Sequence, residues 1–266
     1  MSAPLLVERD GFVATLTLNR PEALNALDPA MMDALVTGSA ALASDGSVRC
    51  VVVRGAGKHF MAGGDIRHFA SRLDLAPEER RRDFSRVIGR LHAAIENFHR
   101  MPHPVVASVQ GAVAGFGMSL LCACDLALAA DDAYFTAAYR HIGLTPDGGL
   151  SFALPRLVGS KKAMEILLLG GRFGADDALR LGLVNRVVPA ADLARETAAL
   201  AGALAAGPVL ATRNGKRLLR QSLSQPLSVQ LDAEATSFSA CAASSDFVEG
   251  VRAFLEKRAP RFGQDA

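Results

Sequence analysis

The 266-residue sequence predicts an α/β fold followed by a helical C-terminal segment. Short apolar runs of strand length alternate with amphipathic spans of helical period as far as about residue 190, the pattern of strands covered by helices. Beyond that point the strand-like runs stop and proline- or serine-led helical spans follow. The expected division is therefore residues 1–190 as the α/β core and 191–266 as a helical segment of a size suited to docking or oligomerisation.

The elements can be read in order. Leu5-Leu6-Val7-Glu8-Arg9 and Val13-Ala14-Thr15-Leu16-Thr17-Leu18 flank Asp10-Gly11, a hairpin signal. Asp28-Pro29 has the form of a helix N-cap followed by proline at the first helical position, with Met32, Leu35 and Leu42 continuing the helix. Cys50-Val51-Val52-Val53 is a continuous apolar run, as expected of a strand buried on both faces. A second helix opens at Pro77, with Phe84, Val87, Leu91, Ile95 and Phe98 on its apolar stripe and arginines between them. Val105–Val109, Leu126–Ala129 and Ala133-Tyr134-Phe135 continue the strands, and the last helices start near Pro189, Pro208, Pro226 and Ser245.

Composition narrows the function classes. A formal net charge of +2 gives no electrostatic case for nucleic acid or an anionic membrane. The basic run Arg80-Arg81-Arg82 with Arg86 and Arg90 is diluted by Glu78, Glu79 and Asp83, so a solvated helix face outweighs RNA binding. Pro104–Cys124 carries no charge over 21 residues, but its glycines, serines and alanines suit close packing better than lipid. Four cysteines make neither a disulfide framework nor a zinc pattern, and His59, His103 and His141 lack ligand spacing, so no metal is expected. The N-terminus has no charged-then-apolar leader, and a cytoplasmic location is expected.

Two glycine-rich segments carry the chemistry. His59-Phe60-Met61-Ala62-Gly63-Gly64-Asp65-Ile66 follows a buried strand, and Gln110-Gly111-Ala112-Val113-Ala114-Gly115-Phe116-Gly117-Met118 joins another strand to an apolar helix. Glycine turns at helix N-termini leave amides open to a ligand and add partial positive charge. Two such turns can aim two N–H groups at one oxygen, which is the arrangement of an oxyanion hole. Either turn alone is equally a tight connection. Asp65 suits a helix cap, and the absence of a Gly-x-Ser-x-Gly elbow disfavours a serine hydrolase.

Taken together, Phe60-x-Ala62-Gly63-x-Asp65-Ile66 and Gly111-x-Val113-x-Gly115-x-Gly117-x-x-Leu120-x-x-x-Cys124-Asp125 resemble the crotonase (enoyl-CoA hydratase/isomerase) superfamily. Asn19-Arg20-Pro21-Glu22-Ala23-Leu24-Asn25-Ala26-Leu27, Pro146-Asp147-Gly148-Gly149 with Pro155–Gly159, and Glu249–Arg258 extend the resemblance along nearly the whole chain. It implies a spiral of ββα units with C-terminal helices that assemble a homotrimer or dimer of trimers. The substrate implied is an acyl-CoA thioester, and coenzyme A belongs to that substrate, so no separate cofactor is expected. By position, the resemblance puts the oxyanion donors at the Gly64 and Phe116 amides and the CoA path along the Ala23 and Leu24 backbone and the Ala62 carbonyl. Phe238, Phe254 and Lys257 match positions that reach a neighbouring subunit's CoA. Glu22 stands where the family often has a basic residue, and Arg67 is the candidate substitute. The acyl pocket wall is expected near 67–75 and 118–121.

The acids discriminate among reactions. A hydratase of this family holds water between two glutamates, whose positions here are Ser119 and Tyr139. Activating water requires a base, and neither hydroxyl replaces a carboxylate near neutral pH. Asp147 is the remaining acid in a motif position, amid apolar residues whose burial would raise its pKa. One carboxylate can take a proton from one carbon of a dienolate and return it to another. The expectation is an enoyl-CoA isomerase with Asp147 as base, in the manner of the ring-epoxide isomerase of phenylacetate breakdown. A hydratase and a CoA-ester-binding protein without turnover stand as the alternatives, and Pro-Asp-Gly-Gly is also good turn chemistry.

Overall fold

The computed structural model describes residues 3–263. Strands β1 (Leu5–Asp10) and β2 (Val13–Leu18) form the antiparallel hairpin read from Asp10-Gly11, with Gly11 at φ 54° supplying the turn. Helix α1 (Pro29–Ser44) begins as the sequence indicates: the Asp28 carboxylate accepts the Met31 N–H at 2.8 Å and Pro29 occupies the first turn. The chain then enters β3 (Cys50–Gly55), whose first four residues are buried, as expected of a central parallel strand.

A five-residue helix α2 (Ile66–Ala70) follows the first glycine segment and is capped by Asp65, which accepts the Arg67 N–H at 3.0 Å. Helix α3 (Pro77–Arg100) buries Leu91, Ala94 and Phe98. Its basic face is largely neutralised in place: Arg81 pairs with Glu78, Arg86 with Asp83, and Arg90 with Asp33. Strand β4 (Val105–Val109) is buried throughout. The second glycine segment contains a short strand of its own, β5 (Ala112–Ala114), before α4 (Phe116–Ala123), all eight residues of which are buried.

Strands β6 (Leu126–Ala130) and β7 (Tyr134–Thr136) lead to helices α5 (Leu150–Val158) and α6 (Ser160–Leu169). A short β8 (Phe173–Gly174), α7 (Ala175–Arg180) and β9 (Arg186–Val188) complete the core sheets. Six strands run in the order β1-β2-β3-β4-β6-β9, parallel apart from the first hairpin, and β5-β7-β8 form a second sheet. This is the repeated strand-strand-helix architecture that the sequence resemblance implies. The C-terminal helices are α8 (Leu193–Ala205), α9 (Val209–Ser222), α10 (Leu227–Ala242) and α11 (Ser245–Leu255). Of these, α8 packs Leu193, Ala201 and Ala205 on the sheet against Cys50, Val52, Val106 and Leu128. Helix α9 is tied to the core by Asp125, which binds Lys216 at 2.6 Å and Arg220 at 2.7 Å. No helix among the described residues is long and apolar enough to cross a membrane.

One buried polar residue organises the N-terminal part of the site. Asn25 is fully buried at φ 55°; its amide donates to the carbonyls of Ala56, His59 and Phe60, and its oxygen accepts the Arg20 N–H at 2.9 Å. Asparagine tolerates this left-handed conformation better than alanine does. Asn25→Ala is expected to lower the unfolding free energy by about 2–4 kcal/mol, because each buried group left unpaired costs about 1–3 kcal/mol. Chemical denaturation checks this, and an unchanged midpoint would contradict it.

Candidate active site

The two glycine segments converge through their backbones. Met61 forms an isolated parallel bridge with Val113, its N–H donating to the Ala112 carbonyl at 3.0 Å while its carbonyl accepts the Ala114 N–H at 2.9 Å. One turn further on, Gly63 (φ 91°) meets Gly115 (φ 51°). A Cβ on Gly63 would lie 3.2 Å from the Ala114 carbonyl oxygen and 3.4 Å from the Phe116 nitrogen. The turns can touch only because neither carries a side chain.

The bonding around this seam leaves two donors over. Leu27 bridges Gly64 in parallel fashion: its N–H donates to the Gly63 carbonyl at 2.8 Å and its carbonyl accepts the Asp65 N–H at 2.9 Å. The Gly64 N–H therefore faces away from Leu27, and among the described residues it makes no backbone hydrogen bond. Phe116 opens α4, so its N–H has no partner within the helix and sits at the positive end of the helix dipole. The structure thus puts both nominated amides on adjoining backbone turns.

A single cation fixes the first turn to the N-terminal loop. The Arg20 guanidinium binds Asp65 at 3.0 Å and Asp28 at 3.2 Å, and donates to the Ala26 carbonyl at 2.6 Å. Burial would raise the Asp65 pKa, but the Arg20 hydrogen bond and the Arg67 N–H outweigh it and hold the carboxyl below its usual range. Asp65 is accordingly a cap and an ion-pair partner. The Ala62 N–H donates to the Leu24 carbonyl at 3.0 Å, which brings the Ala23-Leu24 turn beside Ala62, whose own carbonyl accepts no backbone bond among the described residues. Arg67 is exposed on α2.

The third side of the site is the Pro146–Gly149 turn. Gly148 (φ 56°) packs so closely on α4 that a Cβ there would lie 2.7 Å from the Phe116 ring and 2.8 Å from the Ser119 side chain. Asp147 is thereby held beside the second glycine turn. The Tyr139 hydroxyl, carried by a 3₁₀ turn over Tyr139–Ile142, donates to Asp147 Oδ1 at 2.7 Å. Ser119 Oγ, buried on α4, lies 3.0 Å from that hydroxyl and donates to the Asp147 carbonyl at 2.9 Å. No other side chain among the described residues hydrogen-bonds the carboxyl. Burial pushes the Asp147 carboxyl above its ordinary range, while the Tyr139 hydrogen bond and the His92 imidazole pull it down less strongly. Burial, reinforced by the adjacent carboxylate, likewise pushes the Tyr139 phenol up, so this hydroxyl keeps its proton.

His92 is the residue that sequence reading missed. It projects from α3 and its Nε2 lies 3.2 Å from the Gly148 nitrogen. The helical period could have placed it one turn before Ile95, but nothing local marks it among the arginines of that helix. Phe69 also belongs here: its ring lies directly over Gly64 and meets Phe84 edge-on at 5.3 Å. The remaining nominated residues are not drawn into this cluster. Phe238 is exposed on α10 and Phe254 on α11, and Lys257 stands at φ 54° in the turn after α11.

Comparison with known proteins shows the family. Residues 8–265 match the model of the enoyl-CoA hydratase/isomerase family. A protein of Rhodobacter capsulatus named a probable enoyl-CoA hydratase is 38% identical over 94% of each chain. The 1,2-epoxyphenylacetyl-CoA isomerase of Escherichia coli is 34% identical, again over 94% of each. The crystal structure of an enoyl-CoA hydratase from Polaromonas sp. JS666 superposes with a TM-score of 0.90 at 37% identity, covering 97% of this chain and 99% of that one. With a full-length family match and a shared fold, the chain belongs to the enoyl-CoA hydratase/isomerase family of the crotonase superfamily, whose enzymes act on acyl-CoA thioesters.

Proposed function

We propose that this enzyme is an enoyl-CoA isomerase that moves a double bond through an enolate, with Asp147 as the base. The observation that carries the reading is the Asp147 carboxyl itself, raised by burial and anchored through Oδ1, with no described side chain on Oδ2. A base with a pKa nearer to neutrality transfers protons more effectively in both directions. The thioester oxygen sits between the Gly64 and Phe116 amides, which take up the negative charge as it develops. Asp147 removes a proton from the carbon between the alkene and the thioester carbonyl. The electron pair spreads over the dienolate, and the same carboxyl returns the proton at the far carbon, leaving the alkene conjugated with the carbonyl.

Hydration is the weaker reading because Ser119 and Tyr139 occupy the two acid positions and both hydroxyls are engaged with Asp147. Neither of those two positions keeps a carboxylate to activate water. The relatives carry both hydratase and isomerase names, so the test is direct competition between the two reactions. Formation of conjugated 2-enoyl-CoA from 3-enoyl-CoA should far outpace hydration of crotonyl-CoA. Hydration at an equal or greater rate would overturn the proposal, and tight binding without turnover would make the chain a CoA-ester-binding protein.

The same proposal has the Ala23-Leu24 backbone and the Ala62 carbonyl lining the pantetheine path, with Arg67 at the phosphates. Phe238, Phe254 and Lys257 are assigned to the CoA of a neighbouring subunit in a homotrimer or dimer of trimers. The exposed Leu219, Leu223, Phe238, Phe254 and Leu255 support self-association, since so much apolar surface is unusual on a monomer. A cytoplasmic location fits the four free cysteines.

A further inference from the structure

The contacts around Asp147 do not match the number of protons available to an ionised carboxylate. Three oxygen–oxygen contacts form a closed circuit: Asp147 Oδ1 to Tyr139 OH at 2.7 Å, Tyr139 OH to Ser119 Oγ at 3.0 Å, and Ser119 Oγ to the Asp147 carbonyl at 2.9 Å. Two hydroxyls supply two protons. With Asp147 ionised, Tyr139 donates to Oδ1 and Ser119 to the carbonyl, and the Tyr139–Ser119 contact sets two oxygens together with no proton between them. A proton on Oδ1 changes the count. Asp147 then donates to Tyr139, Tyr139 turns to donate to Ser119, and Ser119 still donates to the carbonyl, so each contact holds one proton.

We propose that Tyr139 and Ser119 form a hydroxyl relay that reverses direction when Asp147 takes up the substrate proton, and so holds that proton for return to the same molecule. This inference rests on the reading of Asp147 as the base. Both hydroxyls act through Asp147 and are positioning residues. The proton leaves the substrate carbon for Oδ2, the oxygen that no described side chain binds. A half-turn of the carboxyl about Cβ–Cγ exchanges its two oxygens and carries the proton into the circuit, and the reverse turn delivers it to the far carbon. No other reactant is consumed. The relay favours the neutral acid, the same direction in which burial acts. The surroundings add little that competes: Tyr139 and His92 are the titratable groups facing Asp147, α4 presents Ser119, and Arg156 of α5 lies over the Phe152 ring, donating to its carbonyl.

Ser119→Ala isolates the relay, because Tyr139 can still donate to the ionised carboxylate while the neutral form loses the contact that only it completes. With labelled aspartate, carbon NMR titration of the unliganded enzyme should show the Asp147 midpoint falling by about half to one pH unit, the equivalent of one modest hydrogen bond. The Asp147→Asn variant identifies the signal. In deuterated water, label entering the product per turnover should rise several-fold, with KM little changed. Tyr139→Phe keeps the ring in place and should raise deuterium entry as well. An unmoved or raised midpoint in Ser119→Ala, or deuterium entry unchanged in both variants, overturns the relay. Full isomerase activity in Asp147→Asn would instead overturn the assignment of the base, whatever the midpoint does.

Discussion

Asp147→Asn is expected to lower kcat for double-bond migration by about 10²–10⁴, the usual contribution of a positioned acid–base group. The amide preserves the shape of the carboxyl and can accept from Tyr139 as Asp147 does, so the turn and the Phe116–Gly148 packing should persist and KM should change little. Stability should move the opposite way. Burial raises the Asp147 pKa in the folded state, whereas the unfolded chain keeps a value of about 3.9. Below that pH both states are protonated and the group contributes nothing. Between that pH and the raised folded value the unfolded chain is ionised while the folded one keeps its proton, so stability falls across this window and ionisation of Asp147 opposes folding at neutral pH. The variant should therefore melt higher than the parent at pH 7 and equal it below about pH 4, the ordinary aspartate range. The parent's kcat/KM should fall as pH drops through the raised value, with its midpoint above that of an ordinary carboxylate. Unchanged turnover in Asp147→Asn would remove the base from the mechanism, and equal melting at pH 7 would mean that burial costs the fold nothing.

The second large effect is expected at Gly63, which touches no substrate in the proposed mechanism. An alanine there must adopt φ 91° and push its Cβ against the Ala114 carbonyl, the Gly115 Cα and the Phe116 nitrogen, at 3.2–3.4 Å. Those neighbours are backbone and cannot rotate aside. The relief is a small separation of the two turns, which moves the Gly64 and Phe116 amides relative to each other. Misplacing an oxyanion donor costs as much as losing one, about 10²–10³ in kcat. Gly63→Ala should show that loss in steady-state kinetics, together with weaker binding of any enolate-like inhibitor. A variant with parental kcat and intact fold would show that the seam does not set the donor geometry.

Local chemistry made most of the fold legible. The Asp10-Gly11 hairpin, the Asp28-Pro29 helix start and the apolar runs at Cys50–Val53 and Val105–Val109 each follow from a few neighbouring residues, and the structure has them where the sequence put them. Strand β5 was not legible. Ala112–Ala114 are small residues with no alternation, and the partner that makes them a strand, β7, begins twenty residues after β5 ends. The glycine turns could be read as a pair of amide donors because glycine marks a backbone that something approaches. What approaches Gly63 is the other turn, a fact of tertiary structure. Asp147 was legible as an acid among apolar neighbours. The direction of the Ser119 and Tyr139 hydroxyls was not, because both turn onto a residue that the fold alone brings near. His92 was invisible for the same reason: its role exists only once α3 lies against the Pro146–Gly149 turn.

The seam between Gly63 and Gly115 separates two design problems that most active sites entangle. In the proposed mechanism the groups aimed at the thioester oxygen are main chain, so changes of side chain elsewhere do not delete them. The nearest side chains from outside the two turns, Phe69 on Gly64, Phe84 against Phe69 and Ile95 beside Gly149, come from α2 and α3. If the mechanism proposed above holds, a library confined to those three positions varies the side chains around the seam while the charge-stabilising amides stay fixed. Variation in what is accepted and constancy in what is done to it are assigned to different parts of the chain.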